Sequence, residues 1–447
     1  MPEQRGRRTP GTADQPRLVA YRLLRAVAAD GAYANLVLPG LIARQGIVGR
    51  DAALATELGY GAVRAAGTLD EVLAECADRP LAEVQPEVRD LLRLGAYQLL
   101  RTRIPPHAAV ATTVDLAKTT GFARAAGFVN AVLRRVGAAD WTQWTARLAE
   151  GASPIRALAL RTAHPMWIAT AFADALGNDL EETQAALIAD DERPQTHLVA
   201  WPGRVTRDDL LAESGGAPGP YSPFAVRLDG GDPGALQLVR DRRAGVQDEG
   251  SQLCALALTR APLTGRDERW LDLCAGPGGK TALLAGLAVE AGAVVSANEL
   301  RPHRAELVRQ VTAFWDVRIT VGDAREMAPV EGGYDRVLVD APCTGLGALR
   351  RRPESRWRRD PSDVAALAAL QGELLDAALR LVRPGGVVAY VTCSPHRTET
   401  LEVVSGRDLI DARPAFPGVG DLGGGPTVQL WPHRHGTDAM FCALVHG

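Results

Sequence analysis

Between about residues 16 and 150, apolar positions recur every three or four residues and β-branched runs are few. PRLVAYRLLRAVAAD, RDAALATELGYGAVR, PEVRDLLRLGAYQLLR, PHAAVATTVDLAKTT and ARAAGFVNAVLRRVG all follow this rule. That period puts one apolar stripe on each segment, so residues 16–150 read as an all-α bundle. Pro86 near one predicted helix start, and Pro105 and Pro106 ahead of the next, suit a helix N-terminus, where a missing N–H is harmless. Residues 151–240 are mixed, with a helical stretch at HPMWIATAFADAL, short strands at HLVAWPGRV and FAVRLDGG, and a loop at GGAPGP (215–220). They read as a small α+β connecting domain. Over residues 241–447 strand-length apolar runs (RWLDLCAG, VVSANEL, VRITVGDA, DRVLVDAP, VVAYVTCS) alternate with helical segments such as GKTALLAGLAVE and DVAALAALQGELLDAALRLV. Such alternation predicts a mostly parallel, doubly wound α/β sheet, whose ligands bind beyond the carboxyl ends of the strands. Residues 1–15 carry charge, Pro and Gly with no apolar core behind them, and read as a disordered tail and not a secretory signal.

The bulk numbers narrow the class. A chain of 447 residues, 46% hydrophobic and 23% charged, is an ordinary multidomain globular protein. No apolar run approaches the roughly 18–20 residues of a membrane span. Six scattered cysteines do not make a disulfide framework and point to a reducing, cytoplasmic setting. The net charge of −3 does not advertise a polyanion partner, although residues 1–150 hold 19 Lys/Arg against 15 Asp/Glu. One local patch is strongly basic. RRRPESRWRR (350–359) sets six arginines around one tryptophan, and Arg350, Arg351, Arg352, Arg356 and Trp357 are candidates to hold phosphates and stack a base; the plainer reading is a solvated basic loop.

Chemistry gathers at the strand ends. LDLCAGPGGKT (271–281) runs strand, glycine turn, helix, so Cys274, Ala275, Gly276, Pro277, Gly278, Gly279 and Lys280 form a candidate nucleotide-binding turn. It is not a Walker loop, since Cys274 stands where that motif needs glycine. The next two strands end in Glu299 and Asp323, carboxylates placed to accept from a ribose and from an adenine amino group. An adenosine cofactor without pyrophosphate, S-adenosylmethionine, fits this series. Two later strands each end in a thiol, Cys343 in VDAPCTG and Cys393 in VTCSPH. Without those motifs, burial would be the default for any cysteine, as it is for Cys76, Cys254, Cys274 and Cys442. A zinc site using Cys343, Cys393 and His396 lacks the usual ligand spacing, and no metal is expected.

QDEGSQ (247–252), DLCAGPGGKT, DAPCTG (340–345), RRRPESRW, TCS (392–394) and LWPHRHGTDAMF (430–441) together resemble the RNA (cytosine-5)-methyltransferases, in particular their bacterial small-subunit rRNA type. RDAALATELGYGAVR and GFVNAVLRRV resemble the N-terminal domain related to the antitermination factor NusB. The resemblance implies a NusB-like, RNA-binding bundle over 16–150 and a Rossmann-like class I methyltransferase domain over 241–447. It also implies Cys393 as nucleophile, Cys343 as the thiol assisting product release, Asp340 contacting the cytosine and Lys280 stabilising charge on the base. Asp340 and Lys280 also border the cofactor turn. The chain departs from the family at PHRTETLE (395–402), where an ENE-like stretch is usual, and at DAMF (438–441), where DGFF is usual. The implied protein is a monomeric enzyme using S-adenosylmethionine on rRNA. Alternatives are the same chemistry on tRNA or another RNA, or a NusB-like binding protein with an inactive methyltransferase half.

Overall fold

A computed structural model of the chain describes residues 14–447, which divide into two units. The first comprises the described residues up to Ala173 together with Asp179–Asp191 and Leu349–Arg359; the second comprises Asp174–Asn178, Glu192–Ala348 and Asp360–Gly447. The tail expected over 1–15 lies outside the described residues as far as residue 13. Asp14 and Gln15 belong instead to a helix, Asp14 as the cap of Gln15–Ala29.

The first unit is helical, as the three- and four-residue spacing predicts. Pro86, Pro106 and Pro154 each open a helix, and Asp140 forms a reciprocal capping box with Gln143 ahead of Trp141–Leu148. Its core joins Leu58, Leu69, Leu73, Leu91, Leu94, Val129 and Leu133, drawn from successive helices. The expected boundary at residue 150 is not where this unit stops. Helices Pro154–Arg161 and Leu180–Asp191 also group with the bundle, so 151–240 is not a domain of its own.

The second unit holds two sheets. A small antiparallel one contains β1 (Thr196–Ala200), β2 (Ala217–Pro218), β3 (Ala225–Leu228) and β4 (Ala244–Val246) in the order β2-β3-β1-β4. The stretch 215–220, expected as loop, supplies the two-residue strand β2, which pairs with β3. The large sheet contains β5 (Arg269–Asp272), β6 (Val294–Glu299), β7 (Val317–Val321), β8 (Tyr334–Asp340), β9 (Val382–Thr392), β10 (Leu409–Ile410), β11 (Val428–Gln429) and β12 (Phe441–His446). Its order is β10-β12-β9-β8-β5-β6-β7, with β11 beside β12. Strands β5 to β9 pair in parallel, while β12 runs antiparallel to β9.

Alternate residues of these strands enter different cores, which is why the strands read as continuous apolar runs. Trp270, Leu338, Ala389 and Leu444 join one layer with helices Glu249–Arg260 and Gly279–Ala291. Leu271, Val337, Val388 and Ala443 join the other with helix Ser362–Leu381. Burying each large aliphatic side chain contributes roughly 1.5–3 kcal/mol, enough together to hold the strand ends in place.

Candidate active site

The chain passes from β5 outward through β6 and β7, then returns to β8 on the other side of β5. The crevice between the carboxyl ends of β5 and β8 is therefore the topological switch point, where a doubly wound sheet binds its ligand. Asp272 ends β5 and Asp340 ends β8.

The glycine turn follows β5. Gly276 N–H donates to Glu299 Oε2 at 2.9 Å, and Arg304 donates to the Gly276 carbonyl. A Cβ on Gly276 would lie 2.3 Å from that carboxylate oxygen, so a larger residue would displace the Glu299 carboxylate. Gly278 has φ +102°, and its Cβ would meet Val311 Cγ1 at 2.5 Å. The turn thus needs glycine at 278. Ala275 N–H bonds to the Asn298 carbonyl at 2.9 Å, tying the turn to β6. Pro277 follows Gly276, and Gly279 opens helix Gly279–Ala291. Burial pushes the Cys274 thiol up, as expected of a packing residue.

Glu299 is nearly buried; its second oxygen accepts from Arg301 N–H at 2.9 Å. Asp323 is engaged differently. Arg325 donates to both of its oxygens, at 3.0 and 2.6 Å, and holds its carboxyl down at about 2.

Lys280 Nζ donates to Asp340 Oδ2 at 2.8 Å. Burial opposes the lysine's charge, but Asp340 keeps it protonated. Asp272, which sequence reasoning did not single out, lies at this junction. Thr281 donates to its Oδ2 at 2.7 Å, its Oδ1 is buried without a partner, and burial pushes the carboxyl up to about 7. A buried acid at the head of the glycine turn was the signal available for it.

Parallel pairing of β8 with β9 places Asp340 opposite Val391. Cys343, three residues past the one, and Cys393, two past the other, emerge side by side. Their sulfurs are 3.4 Å apart. Gly347 N–H bonds to the Cys393 carbonyl at 2.9 Å, joining the two loops. A second residue missed in the sequence is Glu399, fully buried in the PHRTETLE stretch. It accepts from Thr344 N–H at 2.7 Å and from Ser394 Oγ at 2.6 Å. The signal for it was the departure from the ENE-like pattern at that point.

Comparison with known proteins fits this arrangement. Residues 261–446 match the model of the family described as 16S rRNA methyltransferase RsmB/F, and residues 14–138 match the NusB family. The chain is 57% identical to the putative methyltransferase Rv1407 of Mycobacterium tuberculosis, over 99% of each chain. It is 32% identical to the probable ribosomal RNA small subunit methyltransferase B of Bacillus subtilis, over 95% of this chain and 97% of that protein. The chain belongs to the RsmB/F family of rRNA methyltransferases. The solved structure of PH0851 shares the fold with a TM-score of 0.79 at 20% identity, over 98% of this chain and 99% of that one. That of NSun6 from Pyrococcus horikoshii with SFG does so with a TM-score of 0.52 at 18% identity, over 63% and 98%.

An RsmB/F enzyme is an RNA methyltransferase that uses S-adenosylmethionine, and the residues present suit that cofactor. A side chain at Gly276 would displace the Glu299 carboxylate, and Asp272 Oδ1 is an unsatisfied acceptor beside the turn. Lys280 is committed to Asp340, so the turn offers no spare cation for a pyrophosphate. The turn residues 274–280 and Glu299 would hold the cofactor. Arg325 already takes up the carboxylate of Asp323.

The basic patch of this RsmB/F chain, read above either as an RNA contact or as a solvated loop, has part of its charge in the protein interior. Leu349–Arg359 groups with the helical unit, and Arg356 is fully buried there. Its guanidinium donates to the Ala163 carbonyl (3.1 Å), the Asp190 carbonyl (2.6 Å) and Asp191 Oδ1 (3.1 Å). Trp357 Nε1 donates to the Arg64 carbonyl at 2.9 Å, and its ring occupies the space where a Cβ on Gly67 would go, 2.1 Å away. Arg350 is also buried and Arg351 half-buried, leaving Arg352 exposed with its guanidinium 5.7 Å from the Tyr33 ring centre. Buried carbonyls and carboxylates, not phosphates, satisfy Arg356.

Proposed function

We propose that this enzyme methylates C5 of a cytosine in small-subunit ribosomal RNA through a covalent bond between Cys393 and C6. The observation that carries the reading is the pair of thiols 3.4 Å apart at the ends of adjacent parallel strands, beside the Lys280–Asp340 pair. Cytosine C5 is a poor nucleophile. Addition of the Cys393 thiolate to C6 moves an electron pair into the ring and makes C5 nucleophilic. Lys280 interacts electrostatically with Cys393 and so favours its thiolate. Asp340, held by Lys280, accepts from the amino group of the base, and the Lys280 cation offsets the negative charge that arrives on the ring. S-adenosylmethionine, when bound, supplies the methyl group as an electrophile on its sulfonium sulfur. Once C5 is methylated, its hydrogen must leave as a proton so that the C6–S bond can break and aromaticity return. A base accepts that proton, either Cys343 as its thiolate or a water beside it, the C6–S bond electrons return to sulfur, and the Cys393 thiolate departs.

The target base must leave its stack to reach the thiols. The NusB-like unit presents the RNA, and the names of the rRNA-directed relatives support the substrate class. A cytoplasmic, monomeric enzyme suits this work.

Incubation of variants with RNA and S-adenosylmethionine, followed by a denaturing gel, tests the roles. Cys343→Ala should trap a protein–RNA adduct and Cys393→Ala should form none. An adduct only with Cys393→Ala would invert the assignment. Bisulfite mapping of rRNA and tRNA from cells with and without the protein tests the substrate, and a lost methylcytosine confined to tRNA would reject rRNA.

A further inference from the structure

We propose that Glu399 is the positioning residue of the two-thiol site: its carboxylate clamps the Cys343 loop to the Cys393 loop and decides which sulfur carries negative charge. The role rests on the two-thiol reading above. Glu399 lies in the turn Arg397–Glu399 with no exposed surface. Its Oε1 accepts from Thr344 N–H at 2.7 Å and from Gln371 Nε2 at 3.2 Å. Its Oε2 accepts from Ser394 Oγ at 2.6 Å and from the Thr344 hydroxyl. Thr344 directly follows Cys343, and Ser394 directly follows Cys393. Each thiol is therefore one residue from a group bonded to the same carboxylate. Gln371 also donates to the Pro342 carbonyl at 2.9 Å, and Tyr390 Oη donates to the Glu399 carbonyl at 2.7 Å, so both ends of the clamp are fixed.

Every one of these bonds to the carboxylate runs from a donor, which an acceptor-only group satisfies and a glutamine does not. All four donors are neutral. The groups facing Cys343 are Cys393 and Tyr390, from β9 and the residue after it, and Glu399 from the turn. The Cys393 sulfur, burial and then the Glu399 charge push the Cys343 thiol up. Cys393 faces Lys280, whose other neighbours are Asp340 and Cys254. One carboxylate therefore sets the two loops in register and separates the two sulfurs, with Cys343 the harder to ionise before RNA binds and Cys393 the one beside the Lys280 cation.

Limited alkylation of the full chain with iodoacetamide tests this, read by peptide mass spectrometry between about pH 6 and pH 10. In the native protein Cys393 should label at lower pH than Cys343. In Glu399→Gln the Cys343 curve should move down, raising its labelling rate at about pH 8 roughly tenfold, the effect of one pKa unit. Glu399→Asp should restore the native order. Binding of S-adenosylmethionine by calorimetry reports whether each variant is folded. An unchanged Cys343 curve in folded Glu399→Gln overturns the proposal. Should that variant not fold, the native order decides, and Cys343 labelling before Cys393 overturns it. No RNA enters the assay, so a failure of the cytosine reading registers in the adduct and bisulfite tests and not here.

Discussion

Replacing Arg356 by Met on the full chain separates an arginine that holds the helical unit together from one that grips RNA. Methionine fills most of the volume and removes the charge. Asp191 remains compensated, because Arg101 reaches it at 2.6 Å and Arg64 at 3.9 Å. The carbonyls of Ala163 and Asp190 lose their donor, and Ala163 sits at φ 56°, a conformation that the bond to Arg356 helps to hold. Each buried acceptor left unsatisfied costs about 1–3 kcal/mol, and breaking a buried ion pair costs about 3–5 kcal/mol. With Asp191 still paired, and Asp190 Oδ2 losing Arg356 at 3.5 Å but keeping His164 at 3.1 Å, the lower end applies, about 3 kcal/mol. For a unit of this size that lowers the melting temperature by roughly 6–12 °C.

The loss should also depend on pH. Burial, and then the Arg356 charge, hold His164 below its ordinary value, while Asp190, whose Oδ2 is 3.1 Å from the imidazole, pulls the other way. A histidine depressed in the folded state binds fewer protons than the unfolded chain, so native stability falls as pH drops through the ordinary histidine range. Removing Arg356 lets His164 protonate against Asp190, so the variant's deficit should be larger at about pH 8 than at about pH 5.5. Urea unfolding at both pH values, with hydrogen exchange assigning the transition to the helical unit, gives the two deficits. A filter assay gives RNA affinity. A variant within about 0.5 kcal/mol of native stability that has lost RNA binding would refute the structural role and restore the phosphate-gripping one.

Glu299→Ala and Asp323→Ala should differ in cofactor binding. Calorimetry should show S-adenosylmethionine weakened about tenfold or more in the first, which frees Gly276 N–H, and little changed in the second, whose carboxylate Arg325 already occupies. Equal losses would show that Asp323 exchanges its arginine for the ligand. Asp272→Asn addresses the buried acid. With its folded value near 7, above the ordinary carboxylate value, the contribution of Asp272 to native stability is fully present at low pH and is lost as pH rises towards 7. Urea midpoints of the variant should lack that decline, and parallel profiles would mean that Asp272 titrates normally.

Much of the fold could be read from periodicity because each element answers to one dominant force. Leu91, Leu94 and Tyr97 recur at helical spacing along Pro86–Arg101 since one face enters the bundle core. Val337 and Leu338 enter opposite apolar layers, so β8 reads as an unbroken apolar run. The strand-end positions of Asp340, Cys343 and Cys393 follow from those runs, which is why the candidate site was visible before any coordinates. The division at residue 150 was not, because helix Leu180–Asp191 has a local pattern like any other helix. Its place with the bundle is set by Asp190 and Asp191, whose partner Arg356 lies 165 or more residues away.

Arg356 and Glu399 were hidden for the same physical reason. A charged residue in sequence carries no sign of whether water or protein will satisfy it, and exposure is the commoner outcome. A buried guanidinium needs carbonyls and carboxylates converging on it, and a buried carboxylate needs several donors. For both side chains those partners come from elements remote in sequence: Ala163, Asp190 and Asp191 for Arg356, and Thr344 and Gln371 for Glu399. The density of charge in 350–359 therefore suggested a surface, whereas Glu399 and Glu402 of PHRTETLE, visible only as a departure from the ENE-like pattern, gave no sign of which one is buried. The tryptophan within the arginine run was the better clue. An indole that finds a backbone carbonyl and a glycine-cleared seat is held by the protein, and the arginine beside it enters the same interior.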